Sequence, residues 1–359
     1  MASTPLPAGG ASCFRAPSFR RGEPMSGSLA PRCTVPGAPP SPGLDRRGFL
    51  RHAGRCAATL AAASLFAPDA LRAAFARRAR GEVIAEAPWG RVEEVAEGVW
   101  ALVSTPLEGD FTTIANGGLI VGRDAILAVE GLGTTRGARW LSDLALEHLG
   151  RRPTHVLLTH HHGDHTLGQA GYVDRPGTLR VLTSEATLRR LESSDQERLM
   201  PTEVLSEPEG ETELDLGGRV VRVVPRAGHT VSDLVVEVDD PRIVFAGDLV
   251  WNGLFPNFVD ARPLQLMEAV RATLAEERAL FVPGHGDLAT RGELEAYLEV
   301  LERLEVLARR SFARGETPSE AAEAFRIPPS LGTWTFFRDD YVRRALDAWH
   351  RALSAGEGA

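Results

Sequence analysis

The sequence contains no lysine; all 40 of its Lys-plus-Arg positions are arginine. Schiff-base chemistry and a Walker-type phosphate loop both need a lysine, so both are excluded. Cysteine is scarce too. Cys13, Cys33 and Cys56 are the three, and all precede the first strongly patterned segment. A mature domain that begins after them has no disulfide and no thiolate ligand. No apolar run approaches the roughly 20 residues of a membrane span, so no permanent membrane anchor is expected. A basic excess is also missing: the formal net charge is -8, which argues against nucleic acid as a partner.

What the amino-terminal segment does have is composition rather than pattern. Residues 1–43 are rich in Pro, Gly, Ser and Ala and read as an unstructured leader. Asp45-Arg46-Arg47-Gly48-Phe49-Leu50-Arg51 follows, then the mildly apolar stretch from Ala57 to Ala67 and the small-x-small end Ala74-Phe75-Ala76. This series resembles a twin-arginine signal peptide, with an amphipathic helix carrying an arginine pair as the alternative. Met25 is a second possible start. The resemblance implies that residues 1–80 are a leader and that the product is periplasmic or secreted. That route moves folded proteins, so a metal could be loaded before export.

The chemistry concentrates in Thr159-His160-His161-His162-Gly163-Asp164-His165, directly after the apolar Val156-Leu157-Leu158. Burying so many polar heads without partners costs on the order of several kcal/mol per group. The segment is therefore a solvated loop, or it holds a metal that pairs with all of them. His160 and His162 alternate, so extended backbone puts both on one side. Asp164 and His165 come next, and one loop can serve two ions.

Around this loop, short strands alternate with helices. Val92 to Thr105 reads as a strand or hairpin. Thr112 to Gly122 and Ala125 to Val129 read as buried strands joined by a turn at Gly122-Arg123-Asp124. Arg136 to Leu149 has helical spacing and stops at Gly150. His155 to Leu158 is the strand before the histidines, Leu179 to Thr183 is a strand, and Glu185 to Leu191 begins a helix. Ser193 to Glu211 reads as a long loop or lid. Short strands follow at Thr212 to Leu216, Arg219 to Val224, Leu234 to Val238 and Arg242 to Phe245. Gly228-His229 and Gly247-Asp248 stand after two of them. Pro263 to Leu274 reads as a helix and Leu280-Phe281-Val282 as a strand ending in Pro283-Gly284-His285-Gly286. From Glu293 the chain turns helical, with further starts at Thr317-Pro318-Ser319-Glu320 and Tyr341.

His160-x-His162-x-Asp164-His165, Gly228-His229, Gly247-Asp248 and Pro283-Gly284-His285-Gly286, in this order, resemble the motif series of the metallo-β-lactamase-fold superfamily over roughly Val92 to Val300. Each short motif alone is weak, whereas the ordered set is specific. The resemblance implies an α/β class, an αββα sandwich with its site at one edge. The catalytic domain is then residues 81–290 and a helical C-terminal extension, 291–359, packs on it. It also implies that His160, His162 and His229 hold a first ion, that Asp164, His165 and His285 hold a second, and that Asp248 bridges them. Asp248 and Asp164 are the expected catalytic carboxylates.

Imidazole and carboxylate suit zinc as well as iron or manganese, and two Zn2+ are expected. Two such ions can share a water and lower its pKa toward neutral, which supplies a nucleophile beside an electrophilic centre. Glu130 departs from the superfamily pattern, in which Asp is usual. It is expected either to accept a hydrogen bond from a metal-bound histidine or to be a surface carboxylate. His161 is expected to face solvent. His52, His148, His155 and His350 are not expected to be ligands, and Asp287 is expected to cap a turn. Phe111, and Trp251 with Phe255 and Phe258, line a pocket or pack in the core. The run Trp334-Thr335-Phe336-Phe337 reads as core or dimer contact, with a pocket wall as the alternative.

The functional expectation is an exported dinuclear zinc hydrolase acting on a small-molecule thioester, lactone, ester or amide. A true β-lactamase is disfavoured, since those enzymes place Cys or Ser where Asp248 stands. The ligand set is similar to that of glyoxalase II, although no glutathione clamp is evident. A mononuclear iron persulfide dioxygenase and a non-catalytic periplasmic metal-binding accessory protein are the alternatives. Substrate and oligomeric state are not written in these residues.

Overall fold

The computed structural model describes residues 81–205, 210–239, 242–275 and 279–357, all within the compact unit Asp69–Ala359. The arginine pair of the leader lies outside the described residues. An eight-stranded sheet runs in the order β1 (Glu82–Ala87), β2 (Gly90–Ala96), β3 (Val99–Ser104), β4 (Gly117–Val121), β5 (Ile126–Val129), β6 (His155–Leu157), β7 (Arg180–Thr183), β8 (Glu203–Val204). Its first five strands are antiparallel. From β5 onward the pairing is parallel, which demands crossovers. These are supplied by α1 (Thr135–Leu149), between β5 and β6, and by the segment after β6 that holds the short α2 (Gly163–Thr166). The helix α3 (Glu185–Glu192) follows β7.

The second sheet has five strands, β9 (Thr212–Asp215), β10 (Val220–Arg226), β11 (Asp233–Val238), β12 (Ile243–Asn252) and β13 (Leu280–Gly286), in the order β13-β12-β11-β10-β9. Only β12 and β13 pair in parallel, joined through α4 (Pro263–Leu274). The chain ends in α5 (Arg291–Arg314), α6 (Pro318–Ala322) and α7 (Tyr341–Ser354). Among the described residues, no helix is long and apolar enough to cross a membrane.

The layering follows from which side chains alternate. Val99, Ala101 and Val103 of β3, with Leu127 and Val129 of β5, face Val221, Val223, Leu234, Val236 and Phe245 of the other sheet. The residues between them, Trp100, Leu102, Ile126 and Ala128, pack on Leu141 and Ala145 of α1. On the far side, Val224, Val235, Val244 and Phe281 meet α4, α5 and α7. Both sheets are thus apolar on both faces, as sheets covered on both sides must be. The result is an αββα sandwich. The residues after 290 belong to the same core: Leu294, Tyr297, Leu301 and Leu304 of α5 and Trp349 of α7 share a cluster with β12. The sheets approach closely where β4 has Gly118. A Cβ there would lie 2.7 Å from the Phe245 ring and 2.0 Å from the Trp100 carbonyl oxygen.

Three local differences from the sequence reading matter for the site. First, β12 and β13 do not stop before their motifs. Their pairing resumes past an irregularity at Gly247, with Trp251 opposite His285, so Asp248 and His285 sit within strands. Second, residues 112–116 are not strand, because Ile114 adopts a left-handed φ of 65°. Third, β1 is a strand outside the segments read from the sequence, with none of its six residues fully buried. Beside Ile114, Asn116 clamps the two sheets. Its backbone N–H donates to the Gly284 carbonyl at 2.8 Å. Its amide donates to the carbonyls of Pro283 at 2.9 Å and Gly286 at 2.7 Å and accepts from the Ser104 N–H at 2.8 Å.

Asn116→Ala would strand buried backbone groups on both sheets, each costing about 1–3 kcal/mol. A melting temperature lowered by roughly 5–10 °C is expected, read by thermal denaturation; an unchanged melting temperature would remove Asn116 from this role.

Candidate metal centre

The loop leaving β6 carries His160, His161 and His162, and α2 carries Asp164 and His165. His229 stands between β10 and β11, Asp248 in β12 and His285 in β13. All seven sequence-predicted ligand positions converge, in two lobes. In the first, His162 Nδ1 lies 3.1 Å from His160 Nε2 and 2.9 Å from His229 Nε2. Asp248 Oδ2 is 3.1 Å from His229 Nε2 and 4.0 Å from His160 Nε2. In the second lobe, Asp248 Oδ1 is 3.0 Å from His165 Nε2 and 3.4 Å from His285 Nε2. Asp164 Oδ2 is 3.2 Å from His285 Nε2 and 3.7 Å from His165 Nε2. Asp248 therefore gives one carboxylate oxygen to each lobe.

In the first lobe His162 Nδ1 is within hydrogen-bond reach of both neighbouring imidazoles, whereas in the second lobe the atoms are near one another without being aimed at one another. The ring nitrogens of His165 and His285 and Oδ1 of Asp248 are buried and make no aligned hydrogen bond. Buried polar groups in folded proteins are nearly always partnered, so the arrangement fits a cation at the shared focus of each lobe. The donor set, imidazoles with carboxylates, suits a divalent transition metal.

The groups behind the ligands set their tautomers. The Thr159 hydroxyl donates to Glu130 Oε1 at 2.6 Å and accepts from His160 Nδ1 at 3.0 Å. The His160 proton is then on Nδ1, and the Nε2 lone pair points into the first lobe. His162 donates from Nε2 to Asp260 Oδ2 at 2.9 Å, which frees its Nδ1. Glu130 is buried, and its Oε1 lies 3.0 Å from His165 Nδ1. Its backbone is left-handed, φ 77°, and the next N–H, that of Gly131, donates to the His165 carbonyl at 2.8 Å. Asp233 holds the His229 loop by accepting from the Thr230 N–H and hydroxyl at 2.8 and 2.9 Å.

Charge separates the lobes. Burial, with His165 and His162 adding to it, keeps His160 well below the usual imidazole range, and burial takes His229 down to about 3. In the second lobe burial is outweighed. Asp248, Glu130 and Asp164 raise His165, while Asp248 and Asp164 raise His285 to about 9. Asp164 falls to about 2 against its own burial because His165 and His285 surround it. Asp248, likewise opposed by burial, is far below the carboxylate range through His285, His165 and His229. Positive charge is what the second lobe demands, and a divalent ion supplies it while leaving the imidazole lone pairs free.

The centre opens into a cleft of about 330 Å³. Trp251 lines it, whereas Phe255 and Phe258 are buried in the core. Phe337 of the aromatic run also lines the cleft, so that run is only partly core: Trp334 stacks on Tyr297. Phe111 is exposed. His161 does not simply face solvent, since its Nε2 lies 3.3 Å from Asp260. Asp287 pairs with Arg91 at 3.1 Å rather than only capping a turn. His148 packs on Trp100, His155 contacts Thr154 and Arg180, and His350 contacts Ser311, all away from the centre. Asp260, Asp233 and Asn116 were not singled out from sequence. Each acts through a fold contact, and no motif marks them.

Residues 114–305 match the model of the metallo-beta-lactamase superfamily. The chain is 32% identical over 108 residues to the hydroxyacylglutathione hydrolase of Rhodopseudomonas palustris (strain BisA53), covering 30% of this chain and 38% of that one. It is 32% identical over 142 residues to the hydroxyacylglutathione hydrolase of Acidiphilium cryptum (strain JF-5), covering 39% and 54%. The chain thus spans about half the length, or less, of these curated relatives. The fold is similar to that of a metallo-beta-lactamase from Pontibacter korlensis, with TM-score 0.51 and 21% identity over 59% of this chain and 99% of that one. The matched segment begins at the left-handed Ile114, ends within α5 and contains every residue of both lobes, and on that ground the chain belongs to the metallo-β-lactamase superfamily.

Proposed function

We propose that the chain is a metal-dependent hydrolase that works with two divalent ions, zinc first among the candidates. Its substrate would be a small molecule with a thioester, lactone, ester or amide bond. The observation that carries this reading is Asp248, whose two oxygens face separate, equally assembled lobes. A mononuclear iron dioxygenase needs only one lobe, and the second would then have no task. The activity for which the relatives are named, hydroxyacylglutathione hydrolysis, also supports a hydrolase.

Bound divalent ions would lower the pKa of a shared water and polarise the substrate's oxygen. The chain's own residues do the rest. Asp248 fixes the spacing of the lobes and is placed to accept a proton between them. Asp164, 28% exposed against 3% for Asp248, is the more open of the two carboxylates on the cleft floor and can pass a proton outward. Thr159, Glu130 and Asp260 lock the rings so that each offers a lone pair inward, and burial of His160, His165, His229 and His285 keeps bulk water from competing. Export by the twin-arginine route, read from Arg46-Arg47, is part of the same proposal.

Elemental analysis of the purified protein should find two zinc ions per chain, with turnover in one class of a thioester, lactone, β-lactam and phosphodiester panel. One iron with oxygen consumption would overturn the reading. Asp248→Ala is expected to abolish turnover and to lower metal content in both lobes; full activity with two ions bound would sink the bridging role. Glu130→Gln should weaken the second lobe, and Asp260→Ala the first, by about 10–100-fold in metal affinity, measured by chelator competition. Asp260→Asn, which keeps an acceptor for His162, should restore most of the loss. Residues 1–80 fused to a folded fluorescent reporter should deliver it to the periplasm, and lysine at both Arg46 and Arg47 should stop delivery. A reporter retained in the cytoplasm would end the export proposal.

A further inference from the structure

The floor of the cleft is His162, Asp164, Asp248 and His285, and its walls are Ile114, Trp251, Asn257, Val259, Phe337 and Tyr341. Resting on the hydrolase reading, we infer that this cleft selects an uncharged substrate with a flat apolar group beside the scissile bond, an arylalkyl thioester being the representative. It selects against an acidic peptide carrier such as glutathione.

Charge gives the first argument. Among the described residues lining the cleft there is no arginine, and the chain has no lysine. The exposed Arg262, three residues after Val259, is not part of the cleft lining, and other nearby arginines are engaged. Arg338 and Arg344 pair with Asp340, and Arg198 is bonded to Thr166, Ser194 and Gln196. A carrier with free carboxylates needs cationic donors where it leaves water, and the walls offer none.

Shape gives the second. The Trp251 ring centroid is 4.1 Å from that of His285, at 42°. Phe337 stands 6.2 Å from His285 at 70°, and Tyr341 stands 6.4 Å from Trp251 at 75°. Three rings in these orientations form a corner over the second lobe that receives another ring by edge or by offset face. Val259 extends the wall outward and is 46% exposed, an apolar side chain left open at the mouth. Ile114 is β-branched and left-handed, a strained conformation that functional sites tend to retain.

The wall is also fixed in place. Thr335 forms a parallel bridge with Leu254, its N–H donates to the Gly253 carbonyl at 3.0 Å, and its carbonyl accepts from Phe255 at 2.9 Å. Phe337 is thereby tied to the strand that carries Asp248. Phe337 and Tyr341 both lie beyond the superfamily match, which ends at 305. Selectivity is then a contribution of this chain's own C-terminal region.

The test is calorimetric titration of the zinc-loaded full chain with two thioether ligands that lack a thioester bond, 2-(benzylthio)ethanol and S-methylglutathione. The uncharged aryl ligand should bind at least about tenfold more tightly. Phe337→Ala should weaken it about five-fold, the worth of one aromatic contact, with zinc content and melting temperature retained. Should Phe337→Ala fold poorly, the exposed Val259→Asp is the second variant and should weaken the same ligand. Tighter binding of S-methylglutathione, no heat from either ligand, or no effect of either variant overturns the inference. Cleavage of benzyl thioacetate and S-acetylglutathione is measured alongside. Failure to cleave either while the binding preference stands counts against the hydrolase reading and leaves the selectivity intact.

Discussion

A carboxylate buried among imidazoles is the constraint on which the structure depends. Asp248 is 3% exposed and has His165, His229 and His285 within contact distance of its oxygens. The backbone is shaped to admit it. A Cβ at Gly284 would lie 1.9 Å from Asp248 Oδ1, and one at the left-handed Gly247 would lie 2.9 Å from the Thr159 hydroxyl. Both glycines therefore answer a steric demand of the centre. The strand β12 keeps its pairing with β13 only by breaking register at Gly247.

Around that constraint, the polar groups form a closed account. Glu130 binds Thr159 and lies against His165; Thr159 orients His160; Asp260 orients His162; Asp233 ties down Thr230 beside His229. His160, His162 and His165 thus each rest on a second residue, and Thr230 beside His229 is tied down in the same way. The left-handed Glu130 and Leu132 flank Gly131, whose N–H fixes α2, so backbone strain and ligand placement coincide in one turn.

Much of this was legible in the sequence, for physical reasons. Side chains that can hold a metal are few in kind, chiefly histidine, cysteine and carboxylate, so His160, His162, Asp164, His165, His229, Asp248 and His285 stand out in the sequence as candidates, and the fold brings them together. The helices were legible from their spacing and their ends: the left-handed Gly150 closes α1, and Thr317 with Glu320 forms a reciprocal pair at the start of α6. Asp260 and Asn116 were not legible, because what they do depends on which distant segment folds against them. The hydrogen bonds of Asn116 to Pro283 and Gly286 join residues with no periodic relation. The stretch 112–116 misread as strand for a related reason, since a β-branched Ile114 gives no local hint of a left-handed turn. The ends of β12 and β13 were placed early because glycine and proline usually terminate strands, and here parallel pairing overrode that preference.

The bridge between Thr335 and Leu254 has one more consequence. Cooperative opening is shared by residues that share hydrogen bonds. The amides of Phe255 and Thr335 each donate across that bridge, so they belong to the same opening unit as the strand leading to Asp248. The C-terminal region cannot peel away as a separate foldon without carrying off the register of the catalytic strand, and loss of the last helices would be felt first at the metal centre rather than at the chain end.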